Sequence, residues 1–414
     1  MSTQRTNVVI IGGGQAGLAM SAELSDASID HVVLERGQVG EAWRSQRWDS
    51  LRLLTPNWMT RLPGHRYDGV DPDGYMHAAD VAAFLSTYRE IVQAPVITGV
   101  TVEMVRPLAD SFEVVAADQR WLADCVVVAT GACSTPKVPA IATALPASVA
   151  QLTPTAYRNP AQLNGRTLVV GASASGMQIA DELATAGRDV VIAVGDHVRL
   201  PRRYRGMDIH WWMNELGLLD QHIDEMEDKQ RAHSLPSLQL VGNDEGRTLD
   251  LNSVTAKGVQ LVGRMVGVNG TTAQFSGSLA NHVRSADLKE RRLMDQIDEF
   301  ATERGLDGEL DAAWRSEATQ LGTTRTTLDL GDIDAVVWAT GFRPNYPWVA
   351  DSLLDERGDI PAVEGVATTP GLFTIGMPFM RTRKSSFIDG VGGDARFLAG
   401  RISSHLRHPA SAAA

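Results

Sequence analysis

Three glycines, Gly12-x-Gly14-x-x-Gly17, follow the apolar run at residues 8–11 and precede the helical pattern LAMSAEL. In that setting the three glycines act differently. Gly12 permits a tight turn, Gly14 lets the backbone approach a pyrophosphate, and Gly17 lets the helix pack closely on the strand. The helix start then offers unpaired N–H groups and the positive end of its dipole to an anion. Glu35 closes the next apolar run, eighteen residues after Gly17, where a carboxylate can accept hydrogen bonds from an adenosine ribose. Together these residues predict a dinucleotide site, with contacts expected from Gly12, Gly14, Gln15, Ala16, Gly17, Glu35 and Arg36.

The phrase RTLVVGASASG at residues 166–176 echoes NVVIIGGGQAG at residues 7–17. Gly171 and Gly176 match Gly12 and Gly17, while Ser173 stands in place of the middle glycine, where its hydroxyl can add a phosphate contact. A second nucleotide is expected to touch Gly171, Ser173, Ala174, Ser175, Gly176 and Gln178. By count the position matching Glu35 is Val194, which is no acid; instead Arg199, Arg202, Arg203 and Arg205 crowd the segment DHVRLPRRYR. Arginines near such a strand end can grip a ribose 2′-phosphate, as NADP recognition requires, and Arg199, Arg202 and Arg203 are expected to do so. The competing reading is a solvated basic loop, partly neutralised by Asp196.

These groups must be held by regular elements. Each copy reads strand, turn, helix, strand, the second strands being HVVLE at 31–35 and DVVIAV at 189–194. Such units imply parallel sheets with ligands where the strands end. CVVVATG at 125–131 and AVVWATG at 335–341 read as buried strands ending in glycine turns, and Pro136, Pro139, Pro146 and Pro154 mark a crossing with a boundary near 159–165. Because the second ATG phrase follows the second unit, the chain is expected to leave a first domain, build another and return. The fold class expected is α/β with two dinucleotide-binding, Rossmann-like domains. Residues 1–160 with 325–414 would form the discontinuous one, and 161–324 the inserted one with a helical insertion. Leu293, Met294, Ile297, Phe300 and Ala301 recur at helical spacing and predict an amphipathic helix. His210, Trp211, Trp212 and Met213 are expected to fill a core or a domain seam rather than form a ligand platform. The tail HPASAAA reads as frayed.

Composition narrows the field. A chain of 414 residues suggests two or three domains, and 43% hydrophobic with 21% charged residues can build and cover a large core. A net charge of −12 opposes binding to nucleic-acid phosphate. The 2 cysteines, Cys125 in an apolar strand and Cys133 eight positions later, form neither a disulfide framework nor a CxxC redox pair. No metal-ligand spacing and no P-loop occurs. The start MSTQRTN lacks a signal sequence and no apolar run reaches about 18 residues, so a cytoplasmic protein without a membrane span is expected.

Two nucleotide turns in this order resemble the two-dinucleotide-binding-domain flavoproteins, with FAD in the first site and NADPH in the second. GEAWRSQRWDSLRLLTPNWMTRLPG (40–64), LTPTAYRNP (152–160), GASASGMQIADEL (171–183), RLPRRYRG (199–206) and ATGFRPNYPWV (339–349) are similar to class B flavoprotein monooxygenases. Within them the chain most resembles the flavin-containing monooxygenase branch of plant YUCCA enzymes and bacterial CzcO-like flavoproteins, over nearly its whole length except near 275–320. The resemblance implies an FAD-dependent, NADPH-consuming monooxygenase that inserts one oxygen atom from O2 into a small organic substrate through a flavin C4a-(hydro)peroxide. Two other readings stay open: a reductase passing electrons to a quinone or protein acceptor, and a dinucleotide-sensing regulatory flavoprotein. The partners implied are a small-molecule substrate and O2, with a homodimer left open and nucleic acid excluded.

The resemblance also assigns residues. Trp43 lies near the flavin and Thr55 falls at a position touching FAD. The family's active-site Asn aligns with Leu54, which leaves Asn57 as the catalytic candidate for holding the flavin–oxygen adduct. Gly393 and Asp394 belong to the stretch where a helix N-terminus faces the flavin pyrimidine. One departure stands out: the fingerprint Phe-x-Gly, three residues, His, then Tyr/Phe–Lys/Arg keeps only Tyr157–Arg158 here, with Thr153 or a neighbour in place of His.

Overall fold

The structure is a computed structural model that describes residues 2–408; the tail expected to fray lies outside them from residue 409 on. The chain opens with β1 (Ser2–Ile11), α1 (Gln15–Asp26) and β2 (His31–Glu35), followed by α2 (Ala78–Ile91), β3 (Val96–Thr98) and β4 (Gln119–Val128). Then come β5 (Ala150–Leu152), β6 (Arg166–Val170), α3 (Ala174–Thr185), β7 (Asp189–Val194), α4 (Ile209–Glu215) and β8 (Gln260–Gly263). The long α5 (Leu279–Glu303), β9 (Ala335–Trp338), β10 (Leu372–Thr374) and α6 (Ile388–Arg407) complete the described elements that matter here.

Two parallel sheets result. The first has the core order β3–β2–β1–β4–β10, extended at its edges by antiparallel strands. The second runs β8–β7–β6–β9–β5. Position for position the orders correspond, so the sequence echo is an echo of topology. Val8, Val9, Ile10 and Ile11 are buried, as are Cys125, Val126, Val127 and Val128, because the central strands of a parallel sheet are covered on both faces. That is why they read as unbroken apolar runs.

The boundary expected at residue 325 needs correction. β9, the strand of the second ATG phrase, pairs with β6 and β5 in the second sheet, as β4 pairs with β1 in the first. Each ATG phrase therefore closes its own unit. The chain returns to the first sheet only after residue 341, and β10 is the strand it adds. β5 joins the second sheet although it precedes the expected boundary near 160. Outgoing Thr135–Pro136 and returning Phe342–Arg343 pair antiparallel, so the two crossings run side by side.

α4 and α5 share a further cluster in which Ile209, Trp212, Met213, Met294, Ile297 and Ala301 are buried. The amphipathic helix and the seam-filling role of the 210–213 segment are both as expected, and the Trp212 indole N–H donates to Tyr204 O at 2.8 Å. Among the described residues no helix is long and apolar enough to cross a membrane.

A Cβ added at Gly17 would collide with Gly12 O, whereas one at Gly14 would meet nothing within 4 Å. Gly17→Ala is therefore expected to cost about 1–3 kcal/mol of unfolding free energy, the usual range for overpacking. Gly14→Ala should change it by less than about 0.5 kcal/mol, as an uncrowded substitution does. Urea titration of both variants separates them, and equal losses would contradict the close-contact account.

Candidate functional site

The first glycine turn begins where β1 ends. Gly12 has φ +113° and a Cβ there would lie 2.6 Å from Ala129 O, so only glycine fits between β1 and the end of β4. Gly14 caps α1 without a side chain, leaving the N–H groups of the first helical turn open to a ligand. Buried Glu35 accepts from Gly13 N–H at 2.7 Å through Oε2 and from Gly37 N–H at 2.8 Å through Oε1. It thus fixes the turn, and the residues that follow it, Arg36, Gly37 and Gln38, line a cavity of about 420 Å³ together with Glu41, Gly99 and Thr101. Gly12, Gly14, Glu35 and Arg36 gather as the sequence predicts.

The second turn reproduces this backbone. Gly171 has φ +111°, and Ser173 (φ −85°, ψ −172°) overlays the conformation of Gly14 (φ −87°, ψ −171°). The middle station demands open space rather than a left-handed conformation, so serine is accommodated. Ser173 and Ser175 are half-buried at the start of α3, next to buried Ala174 and Gly176. Gln178 differs from expectation: it is buried and its amide donates to Leu240 O at 2.7 Å, which engages its donor inside the unit.

The arginines need a larger correction. Arg199 is buried and bonds Asp250 at 2.7 Å and Asp287 at 2.9 Å, with Glu290 at 3.3 Å. Arg202 is fully buried; it donates to Leu54 O at 2.7 Å, Asp208 Oδ1 at 2.6 Å and His210 Nδ1 at 2.9 Å, and lies 4.9 Å above the Tyr75 ring. Since arginine only donates, His210 Nδ1 must accept, and burial accordingly pushes the imidazole pKa down. Arg205 is held by Asp298, Asp307 and Asp311 O. Of the expected phosphate-gripping trio, only Arg203 is exposed. Buried guanidinium groups need carboxylates, and here the chain supplies them from segments that the spacing of the arginines does not reveal.

A segment spanning residues 43–76 joins the two units. Trp48 and Leu51 sink into the core of the second, Leu53 and Leu62 into that of the first. Arg158, retained from the family fingerprint, clamps this segment through Arg47 O at 3.1 Å and through Ser45 O, and Tyr157 Oη donates to Glu182 at 2.8 Å. Trp43 is thereby fixed, its indole N–H 3.3 Å from Gln15 Oε1, while Gln15 Nε2 reaches Ser386 O at 3.5 Å. Gln15, Trp43 and the approach to α6 so converge at the start of α1. Thr55 is half-buried on the same segment. Asn57 is a correction: its amide donates to Asp71 O at 2.9 Å and accepts from Met76 N–H at 2.8 Å. Both ends are engaged in closing the 57–76 loop, so Asn57 positions that loop rather than standing free for a ligand.

At the other side of the turn, α6 begins at Ile388, so Gly393 and Asp394 lie beyond its first turn and not at its N-terminus as expected. Gly393 has open space, whereas Asp394 is buried with Oδ2 unpartnered and Arg381 at 3.7 Å from Oδ1. Burial pushes its carboxyl up to about 6, against the pull of Ser385 and Arg381. The residue that sequence reasoning missed is Gly376 (φ +82°), where a Cβ would lie 2.9 Å from Ala16. It follows β10 after Ile375, and this further strand-then-glycine phrase is its signal in the sequence. The cysteines are both free, Cys125 buried and Cys133 exposed, and burial pushes the Cys125 thiol up to about 12.

Known proteins resemble this chain in sequence and fold. The family model of pyridine nucleotide-disulphide oxidoreductase matches residues 9–228. An oxidoreductase of Geobacillus kaustophilus named CzcO-like is 31% identical over 96% of this chain and 99% of its own length. Indole-3-pyruvate monooxygenase YUCCA1 of Oryza sativa subsp. japonica is 25% identical over 89% of this chain and 86% of its own. Among solved structures, a flavin-containing monooxygenase from Stenotrophomonas maltophilia superposes with a TM-score of 0.68 at 20% identity, covering 97% of this chain and 99% of that one.

Two measurements test the site's electrostatics. Arg202→Met leaves Asp208 buried without its cation and is expected to cost about 3–5 kcal/mol, whereas Arg203→Ala should stay within about 0.5 kcal/mol; similar losses in urea unfolding would refute the division. For Asp394, burial raises the folded-state pKa from 3.8 to about 6. Between those values the folded chain keeps a proton that the unfolded chain releases, so stability falls as pH rises through the window. Asp394→Asn should remove that slope from melting temperatures recorded between about pH 4 and 7, and an unchanged slope would assign it to other groups.

Proposed function

The chain belongs to the pyridine nucleotide-disulphide oxidoreductase family, in the company of CzcO-like oxidoreductases, and from that premise we propose that it is an FAD-dependent, NADPH-consuming monooxygenase acting on a small organic substrate. The observation that carries this reading is the pair of matching nucleotide turns, Gly12 at φ +113° and Gly171 at φ +111°, each backed by the carbonyl that opens an ATG phrase. In this reading the first sheet is the FAD-binding, Rossmann-like domain, interrupted by an inserted domain of the same kind for the nicotinamide coenzyme. The residues present fit FAD. Gly14 leaves the backbone accessible, α1 begins without a side-chain cap, and the residues after Glu35, from Arg36 to Gln38, line an open cavity.

Bound flavin supplies hydride acceptance and dioxygen activation, so the protein needs few acids or bases of its own. Glu35 would hold the adenosine ribose while keeping the turn in shape through Gly13 and Gly37. Trp43, fixed by Gln15 and by the clamp from Arg158, would wall the flavin site and limit water there. The arrangement of thiols favours oxygen transfer over a thiol relay: Cys125 lies in mid-strand paired with Val8, and neither cysteine has a partner at redox spacing.

The test supplies NADPH and isotopically heavy dioxygen to the FAD-loaded protein with a panel of amines, thioethers and carbonyl compounds. The expected product of one class carries a single heavy oxygen atom, in step with NADPH consumed. NADPH oxidation that yields only hydrogen peroxide across the panel, together with rapid quinone reduction, would replace the proposal by the reductase.

A further inference from the structure

With Arg199, Arg202 and Arg205 engaged by internal carboxylates, the second nucleotide turn needs another group if it is to select its coenzyme. The correspondence of the two sheets shows where to look. In the first, Glu35 on β2 lies opposite Thr98 on β3; in the second, Val194 on β7 lies opposite Gly263 on β8. One step past these pairs stand Arg36 and Gly99, which line the cavity beside Glu35, and their counterparts are Gly195 and Arg264. The second sheet thus inverts the first: the acid at the strand end is replaced by valine, and the glycine on the neighbouring strand by arginine.

Arg264 is suited to a ligand in a way the buried arginines Arg199, Arg202 and Arg205 are not, and unlike exposed Arg203 it stands one step past a strand pair that matches the first site. It is exposed, and among the described residues its guanidinium has no ion pair or side-chain hydrogen bond. Its stem lies over Gly195, where an added Cβ would sit 3.8 Å from Cγ and Cδ, so the absence of a side chain at 195 leaves it room. Its backbone is anchored, the carbonyl accepting from Ser276 N–H at 2.8 Å. The acid that follows Gly195, Asp196, accepts from His282 Nδ1 at 2.8 Å, and His282 Nε2 is 3.0 Å from Ser278 Oγ. That carboxylate is drawn to the side by its histidine.

We propose that Arg264 reads the ribose 2′-phosphate at the second turn and makes NADPH rather than NADH the coenzyme. This rests on the second turn being the nicotinamide-coenzyme site, and it concerns binding alone, whatever the fate of the oxygen. A planar guanidinium can grip a phosphate dianion through paired N–H groups, and no neutral or acidic side chain at that station could.

The experiment is calorimetric titration of the FAD-loaded protein with adenosine 2′,5′-bisphosphate and, separately, with AMP, which lacks the 2′-phosphate. The wild type should bind the bisphosphate at least about tenfold more tightly, and Arg264→Gln should weaken the bisphosphate about ten- to hundredfold while leaving AMP unchanged. Arg264→Lys should restore only part of the difference, because an ammonium is a point charge without the fork. Loss of the preference in Arg203→Ala but not in Arg264→Gln would overturn the proposal in favour of the arginine loop. Equal binding of both probes by the wild type would overturn it while sparing the nucleotide site, and binding of neither would remove both. Since no oxygen is consumed in any of these titrations, failure of the monooxygenase reading would leave their outcome intact.

Discussion

Everything in this chain hangs on how closely a helix can sit on the turn that precedes it. A side chain at Gly17 or Gly176 would strike the carbonyl of Gly12 or Gly171, and those glycines lie against the carbonyls of Ala129 and Ala339. Strand, turn, helix and closing strand are therefore locked at a single point in each unit. The open first turn of the helix is the by-product of that lock, and in the proposed function a nucleotide uses it. One contact, built twice, sets the geometry of both turns.

What the sequence made legible follows from this. The glycine spacing, Glu35 and the apolar runs act over a few residues, and each of them stands where it was expected. The partners of the buried arginines are another matter. Asp250, Asp287 and Glu290 converge on Arg199 from segments more than fifty residues away, and Leu54 reaches Arg202 from the other unit. A basic loop and a buried ion cluster have the same local sequence, and only the fold tells them apart. Asn57 behaves likewise, since both ends of its amide are engaged by residues that spacing does not announce. The domain boundary differs for another reason: the two ATG phrases look like the departure from one domain and the return to it, whereas each is the final strand of its own repeat.

The seam between the units is rigid where it is polar. Tyr75 Oη donates to Asp208 Oδ2 at 2.6 Å, and Arg202 crosses from the same cluster to Leu54 O, so a segment of the first unit is pinned by buried charges of the second. Burial opposes the charge on Asp208, yet hydrogen bonds from the His210 backbone N–H, the Arg202 guanidinium and the Tyr75 hydroxyl hold its carboxyl well below the usual range. Such a cluster contributes little net stability compared with an apolar seam but admits few alternative registers. It keeps Trp43 and the start of α1 in a fixed relation to the second unit.

The side-by-side crossings at Thr135–Pro136 and Phe342–Arg343 bear on how the chain is made. The second sheet is contiguous and holds all its strands once residue 338 has been synthesised, whereas the first lacks β10 until residue 374 emerges. The unit that starts first on the ribosome is thus the one that finishes last. Until then β4 presents part of its hydrogen-bonding edge to solvent, a surface open to wrong pairing. Folding of the later unit brings the two crossings together, and this delivers the C-terminal segment to the strand that awaits it.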